Sequence, residues 1–142
     1  MIVDDEENIL SSLKRVLGRS KNIEIETFIS ATDALKRAQI ANFELFISDY
    51  RMPEMDGIQF LVETKELQPE SMRIMLSGHA DLDSVLSAVN HAEIYRFICK
   101  PWIEYELIAT VKQALDYRDI QLENRILADQ IRQQQEELER LK

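Results

Sequence analysis

Four short segments hold side chains that could act together on a phosphoryl group. They are Asp4-Asp5 after an apolar stub, Asp49 in Ser-Asp-Tyr-Arg-Met-Pro-Glu-Met-Asp-Gly, Ser77 in Met-Leu-Ser-Gly-His, and Lys100 in Cys-Lys-Pro-Trp. Asp49 is the candidate nucleophile, since a carboxylate can attack phosphorus and hold it as a mixed anhydride. The adjacent acids would repel one another without compensation, and a hard divalent cation with oxygen ligands supplies it. Mg²⁺ suits this donor set because it keeps several waters and asks little of the protein: Asp4, Asp5, Asp49 and the backbone oxygen of Arg51 are the expected ligands. Lys100 offers a mobile charge for a phosphoryl oxygen, and Ser77 a hydroxyl donor for another.

These residues are useful only if the fold gathers them. Each sits where an apolar segment ends, and in a parallel βα sheet all strands end on one edge. Met1-Ile2-Val3 reads as a first strand, followed by a helix with Ile9, Leu10, Leu13, Val16 and Leu17 at helical spacing up to Gly18. Ile23, Ile25 and Phe28 read as a second strand, and Ser30-Ala-Thr-Asp33 has capping-box spacing before a helix through Ala34, Leu35, Ala38 and Ile40. Leu45-Phe46-Ile47 is apolar without alternation, as a strand covered on both faces requires. A helix from Ile58 to Leu67, a strand from Met72 to Leu76, a helix from Leu82 to Val89 and a strand from Ile94 to Cys99 complete the series. Strict β-α alternation predicts an α/β, flavodoxin-like (βα)5 three-layer sandwich with a parallel sheet in the order 2-1-3-4-5. Gly57, ending the motif after Asp49, is expected to supply a turn conformation costly for other residues.

From Glu104 to the end there is neither Gly nor Pro, so the fifth helix is expected to leave the domain. Ile120, Asn124, Leu127, Ile131, Gln134, Leu138 and Leu141 alternate at spacings of four and three, the seam of a coiled coil with Asn124 at an a position. A polar residue there favours defined register and few strands, which predicts a parallel homodimer through 120–141. Leu122 and Ile126 sit off that seam, and a stutter near 117–122 would reconcile the two registers. The division expected is a globular domain over 1–118 and an extended helical linker over 119–142 leading to a further output module. The short first strand and the unpunctuated final helix both suggest a piece of a longer protein.

Composition narrows the classes. With 26 acidic against 17 basic residues, a net charge of −9, this segment is a poor candidate for binding nucleic acid, which needs clustered cations. The one cysteine, Cys99, has no partner for an internal disulfide, and the two histidines lie far apart in sequence, so no zinc set is legible and a cytoplasmic setting is expected. No apolar run is long enough to span a bilayer, so no membrane contact is expected.

Taken singly, each motif has an ordinary reading: Asp-Asp as a helix cap, Ser as a turn residue, Lys-Pro as a loop start. Taken together and in order, Val-Asp-Asp-Glu, Asp-Tyr-Arg-Met-Pro-Glu-Met-Asp-Gly, Ser before a small residue and Lys-Pro before an aromatic resemble the receiver domain of bacterial two-component response regulators. The resemblance covers residues 1–118. It implies phosphoryl transfer from a sensor histidine kinase to Asp49, with Asp4 and Asp5 as the acidic pair, Ser77 at the hydroxyl position and Lys100 as the conserved-type lysine. It also implies that the switch aromatic, three residues before that lysine, is Phe97, which lacks a hydroxyl and so could move only by an exchange of packing as Ser77 shifts. A cis bond between Lys100 and Pro101 is implied as well. Gly78 departs from the family's usual Ala and is expected to loosen the loop, while Arg51 and His79 flank the pocket and could tune water access.

The signal is then expected to leave through the fourth helix, fifth strand and fifth helix. Lys-Pro-Trp with a long charged helix resembles receivers joined to signalling enzymes, such as cyclic-dinucleotide synthases or phosphodiesterases, more than DNA readers. Two rivals are an Asp-nucleophile phosphohydrolase of the haloacid dehalogenase type and a degenerate receiver serving only dimerisation. The hydrolase usually has a second Asp two residues after the first, where this chain has Arg51. The degenerate receiver would lack some of the side chains that are all present here.

Overall fold

The computed structural model describes residues 1–20 and 22–141, with side chains other than those of His79 and residues 87–90. The apolar segments alternate with helices as their periodicities require: β1 (Ile2–Val3), α1 (Glu7–Leu17), β2 (Thr27–Phe28), α2 (Ala31–Ala38), β3 (Leu45–Asp49), α3 (Gly57–Leu67), β4 (Met72–Ser77), α4 (Leu82–Ala92), β5 (Arg96–Cys99) and α5 (Glu104–Arg140), with a 3-10 turn at His79–Asp81. Among the described residues the strands form one parallel sheet in the order β2-β1-β3-β4-β5. This is the flavodoxin-like order expected from the alternation.

Two apolar layers flank the sheet. Ile2, Ile47, Ile74 and Ile98 point toward Leu10, Leu13 and Val16 of α1 and Leu107 and Val111 of α5. Val3, Phe46 and Met75 point the other way, toward Ala31 and Ala34 of α2, Phe60 and Leu61 of α3 and Val85 of α4. Alternate strand residues feed opposite layers, so a central strand such as β3 is buried throughout its length. Ser30 caps α2 by accepting from the Asp33 N–H at 3.3 Å, and Asp56 caps α3 by accepting from Gln59 at 2.8 Å.

Several boundaries differ from the sequence reading. Ile23 and Ile25 are half-buried against the α1 and α5 layer but lie outside β2, because β1 offers only Ile2 and Val3 as ladder partners. Ile40 lies past the end of α2 and is exposed. β5 begins at Arg96 rather than Ile94, since the chain first passes through Glu93 in the left-handed region, φ 48°. Gly57 has no positive φ, so it supplies no unusual turn. It is required for a different reason: a Cβ there would stand 2.9 Å from the Asp49 carbonyl carbon and closer still to its oxygen.

α5 is continuous over 37 residues. Its first three turns bury Leu107, Val111 and Ala114, and beyond them Leu122 is half-buried while Arg125 Nη1 reaches Glu70 Oε1 at 2.6 Å. Contact with the domain therefore extends past residue 118. Ile120, Leu127, Ile131 and Leu138 are all exposed, Ile131 at 56 %.

Candidate functional site

β1, β3, β4 and β5 end side by side. Val3 pairs with Ser48, Asp49 with Leu76, and Ser77 with Cys99, so the residues following these positions share one edge of the sheet. Asp4 directly follows β1, Asp49 closes β3, Ser77 closes β4 and Lys100 directly follows β5. The Lys100 N–H donates to the Ser77 carbonyl at 2.9 Å, which continues the ladder one step beyond the strand. The Lys100–Pro101 peptide bond is cis.

The Lys100 ammonium is shared between two acids, at 3.1 Å from Asp4 Oδ2 and 3.1 Å from Asp49 Oδ1. Asp4 is 0 % exposed and Asp49 9 % exposed. Backbone donors hold the carboxylates in place: Glu6 N–H to Asp4 Oδ1 and Tyr50 N–H to Asp49 Oδ1, both at 2.9 Å. Asp5 is exposed and completes a group in which one ligand oxygen from each of Asp4, Asp5 and Asp49 lies within 4.8 Å of the others.

Burial pushes the Asp4 and Asp49 carboxyls above the usual range, and their backbone and Lys100 hydrogen bonds recover only part of this. For Lys100, burial works against the charged form but the bonds to Asp4 and Asp49 outweigh it, so its pKa is held above the ordinary lysine value. One ammonium shared between two desolvated carboxylates, with Asp5 adding to the repulsion on Asp49, leaves the cluster short of positive charge. Three clustered carboxylates and one ammonium fit a small divalent cation, both in charge and in oxygen donors.

Ser77 is buried, and its hydroxyl donates to the Gly78 carbonyl at 3.2 Å rather than to an acid. A Cβ on Gly78 would meet nothing within 4 Å, so an alanine would fit there. Phe97 is half-buried against the α2, α3 and α4 layer, and Trp102 is half-buried against the opposite one. The Arg51 side chain turns away from the acids to Asp81, with Nε at 2.8 Å and Nη2 at 2.6 Å from Oδ1. The side chain of His79 lies outside the described residues.

Three contacts were not apparent in the sequence, two at the site and one, that of Arg73, toward the other end of β4. Asp81 holds Arg51. Glu54, in the loop after Asp49, accepts from the hydroxyls of Ser30, at 2.9 Å, and of Thr32, fastening that loop to the start of α2. Arg73, 4 % exposed within β4, donates through Nε to the Ala92 carbonyl at 2.8 Å and through Nη1 to Ser71 Oγ at 3.0 Å. A charged residue interrupting the apolar run Met72–Leu76 was the one available signal for the last.

Residues 1–112 match the family model of the response regulator receiver domain. The chain is 36 % identical over 121 residues to the hydrogenase transcriptional regulatory protein HoxA of Cupriavidus necator, a match covering 85 % of this chain and 25 % of that protein. It is 30 % identical over 137 residues to the response regulator protein TodT of Pseudomonas putida, covering 96 % of this chain and 60 % of TodT. The chain thus spans a quarter to three fifths of these relatives. Among solved structures, the signal receiver domain of an HD domain-containing protein from Pseudomonas fluorescens superposes with a TM-score of 0.80 at 34 % identity, covering 86 % of this chain and 89 % of that one. With this sheet order, this acidic edge and these matches, the chain belongs to the receiver domain family of bacterial response regulators.

Proposed function

We propose that Asp49 is the phosphoacceptor of this receiver, that a sensor histidine kinase is the donor, and that Asp4, Asp5, Asp49 and the Arg51 backbone oxygen hold Mg²⁺. The observation that carries this reading is the placement of one ammonium 3.1 Å from both Asp4 and Asp49, with Asp5 beside them. In the transfer, an Asp49 carboxylate oxygen forms a bond to phosphorus as the phosphorus–nitrogen bond of a phosphohistidine breaks. The electron pair of that bond, with a proton, remains on the departing imidazole. Bound Mg²⁺ would neutralise charge on the phosphoryl oxygens. Lys100 supplies the matching charge from the protein side, and Ser77 offers a hydroxyl once it leaves the Gly78 carbonyl.

The chain is a signalling acceptor in this reading, at most promoting its own phosphorylation and dephosphorylation. A phosphohydrolase of the dehalogenase type is disfavoured, because the position two residues after Asp49 holds Arg51, whose side chain is engaged by Asp81. A degenerate receiver is disfavoured because the acids and Lys100 are all present, with Lys100 paired to Asp4 and Asp49 and Asp5 beside them.

Downstream, the segment 119–142 is a linker whose helix, described to Arg140, pairs with a second copy in parallel, since Ile120, Leu127, Ile131 and Leu138 repeat along its exposed surface at coiled-coil spacing. The output module is an expectation drawn from relatives of two kinds: a transcriptional regulator and an HD domain-containing protein. Among the described residues no helix is long and apolar enough to cross a membrane.

Incubation with acetyl phosphate and Mg²⁺, followed by intact-mass measurement, tests the assignment. A gain of one phosphoryl group in the wild type and none in Asp49→Asn is expected. Equal modification of both proteins would defeat it.

A further inference from the structure

The ion pair between Arg51 and Asp81 joins two loops at the site and has no role in the chemistry just described. Arg51 lies two residues beyond Asp49 in the β3–α3 loop, and Asp81 four residues beyond Ser77 at the N-cap position of α4. We propose, building on the phosphoacceptor reading of Asp49, that Arg51 is a phosphoryl-contacting side chain held in reserve by Asp81. Its transfer to the group on Asp49 releases Asp81 to cap α4.

Three features support an exchange rather than a fixed brace. First, both Arg51 N–H groups converge on a single oxygen, Asp81 Oδ1, instead of forming the parallel two-oxygen fork that arginine and carboxylate favour. Second, the Arg51 side chain is 74 % exposed, and exposed ion pairs contribute little, so the guanidinium is cheaply detached. Third, Asp81 is a good capping residue yet makes no cap hydrogen bond to α4: as the last residue of the 3-10 turn its backbone is helical, φ −98° and ψ −3°, and it must open to the extended conformation usual at an N-cap before its carboxylate can serve there.

A phosphoryl group on Asp49 would change the competition. It carries close to two negative charges and three acceptor oxygens, against one charge on Asp81, and a guanidinium prefers it. Arg51 already feels the Asp49 charge, although the bond to Asp81 is the main influence holding its pKa above the ordinary value. Asp81, only 13 % exposed and no longer paired, gains most by turning to the N–H groups of the first turn of α4, where its charge also meets the helix dipole. The modification is thereby communicated to α4 by an exchange of partners for one arginine.

The test is a titration of the whole chain with beryllofluoride, a phosphoryl mimic, in Mg²⁺, followed by the fluorescence of the single tryptophan, Trp102. Arg51→Ala should raise the half-saturating concentration about 10-fold or more, the scale of one charged hydrogen bond. Asp81→Asn, which weakens the hold on Arg51 but can still cap, should lower it about 3-fold, and adding it to Arg51→Ala should change nothing further. Amide exchange in the first turn of α4 should slow in unloaded Arg51→Ala, where Asp81 is already free. If Asp81→Asn leaves half-saturation unchanged or raised, acts equally without Arg51, or if amide exchange in unloaded Arg51→Ala matches wild type, the exchange is refuted. Failure of the phosphoacceptor reading would look different: Asp49→Asn would then respond like wild type.

Discussion

The Lys100 ammonium donates to Asp4 at 3.1 Å, linking the residue after the first strand to the residue after the last, 96 positions later and across two intervening strands. The same nitrogen contacts Asp49, so removing it leaves two desolvated acids facing each other. Lys100→Ala should destabilise the metal-free protein by about 1–3 kcal/mol, seen as a lower midpoint in urea. An unchanged midpoint would show that the shared ammonium contributes nothing to the fold. Because the Lys100 pKa is raised in the fold, its contribution is fully present below the ordinary lysine value of 10.5 and is lost as pH rises through the folded value.

Asp49→Asn should do the reverse. A carboxyl whose pKa is raised by burial favours its neutral form in the folded state, so its ionisation costs stability as pH climbs from the ordinary value of 3.8 through the raised one. The neutral amide should melt about 2–6 °C above wild type at pH 7 without Mg²⁺, with the gap closing as pH falls below 3.8. Parallel melting curves across that pH range would contradict the burial argument.

Mg²⁺ should stabilise the wild type by about 1.4 kcal/mol at ten times its dissociation constant, and chelation should remove the gain. Asp5→Ala should abolish most of it while leaving metal-free stability within about 0.5 kcal/mol, because Asp5 is exposed. Calorimetric melting with and without Mg²⁺ measures both quantities.

Gly57→Ala should cost about 2–4 kcal/mol despite the residue's ordinary φ, since the methyl group would collide with the Asp49 carbonyl. Gly78→Ala, with open space around it, should be neutral or slightly stabilising. Matching unfolding free energies for the two substitutions would contradict the difference in their surroundings.

Leu127→Glu with Leu138→Glu should convert a dimer to a monomer in sedimentation, at unchanged helix content through residue 118. Wild type sedimenting as a monomer at high concentration would remove the coiled-coil claim.

The fold was legible because each element announced its own burial. Leu45-Phe46-Ile47 is apolar without alternation and could only be an interior strand, and Leu10, Leu13 and Leu17 repeat as one helix face. Ile23 and Ile25 show the limit of that reading: their side chains pack inward as predicted, but strand status depends on a neighbouring ladder that β1 is too short to provide. The acids and Lys100 could be placed on one edge because topology carries strand ends there whatever lies between. Partner choice was not legible. Nothing in the order of residues links Arg51 to Asp81, Glu54 to Ser30, or Arg73 to the Ala92 carbonyl, because these contacts depend on how loops cross and on side chains reaching between elements. Gly57 was singled out correctly but for the wrong reason, since its close neighbour is brought to it by the β3–α3 packing.

The unbroken α5 makes the far end of this protein a pointer. At 1.5 Å per residue, its 37 residues measure about 55 Å, and the portion beyond the sheet about 30 Å. With no glycine or proline to absorb a bend, a tilt of about 10° where Leu107 and Val111 meet the sheet, about 45 Å from the tip, would sweep that tip by about 8 Å. Rearrangements too slight to disturb any strand would thus arrive at whatever follows Leu141 as a displacement as large as a side chain.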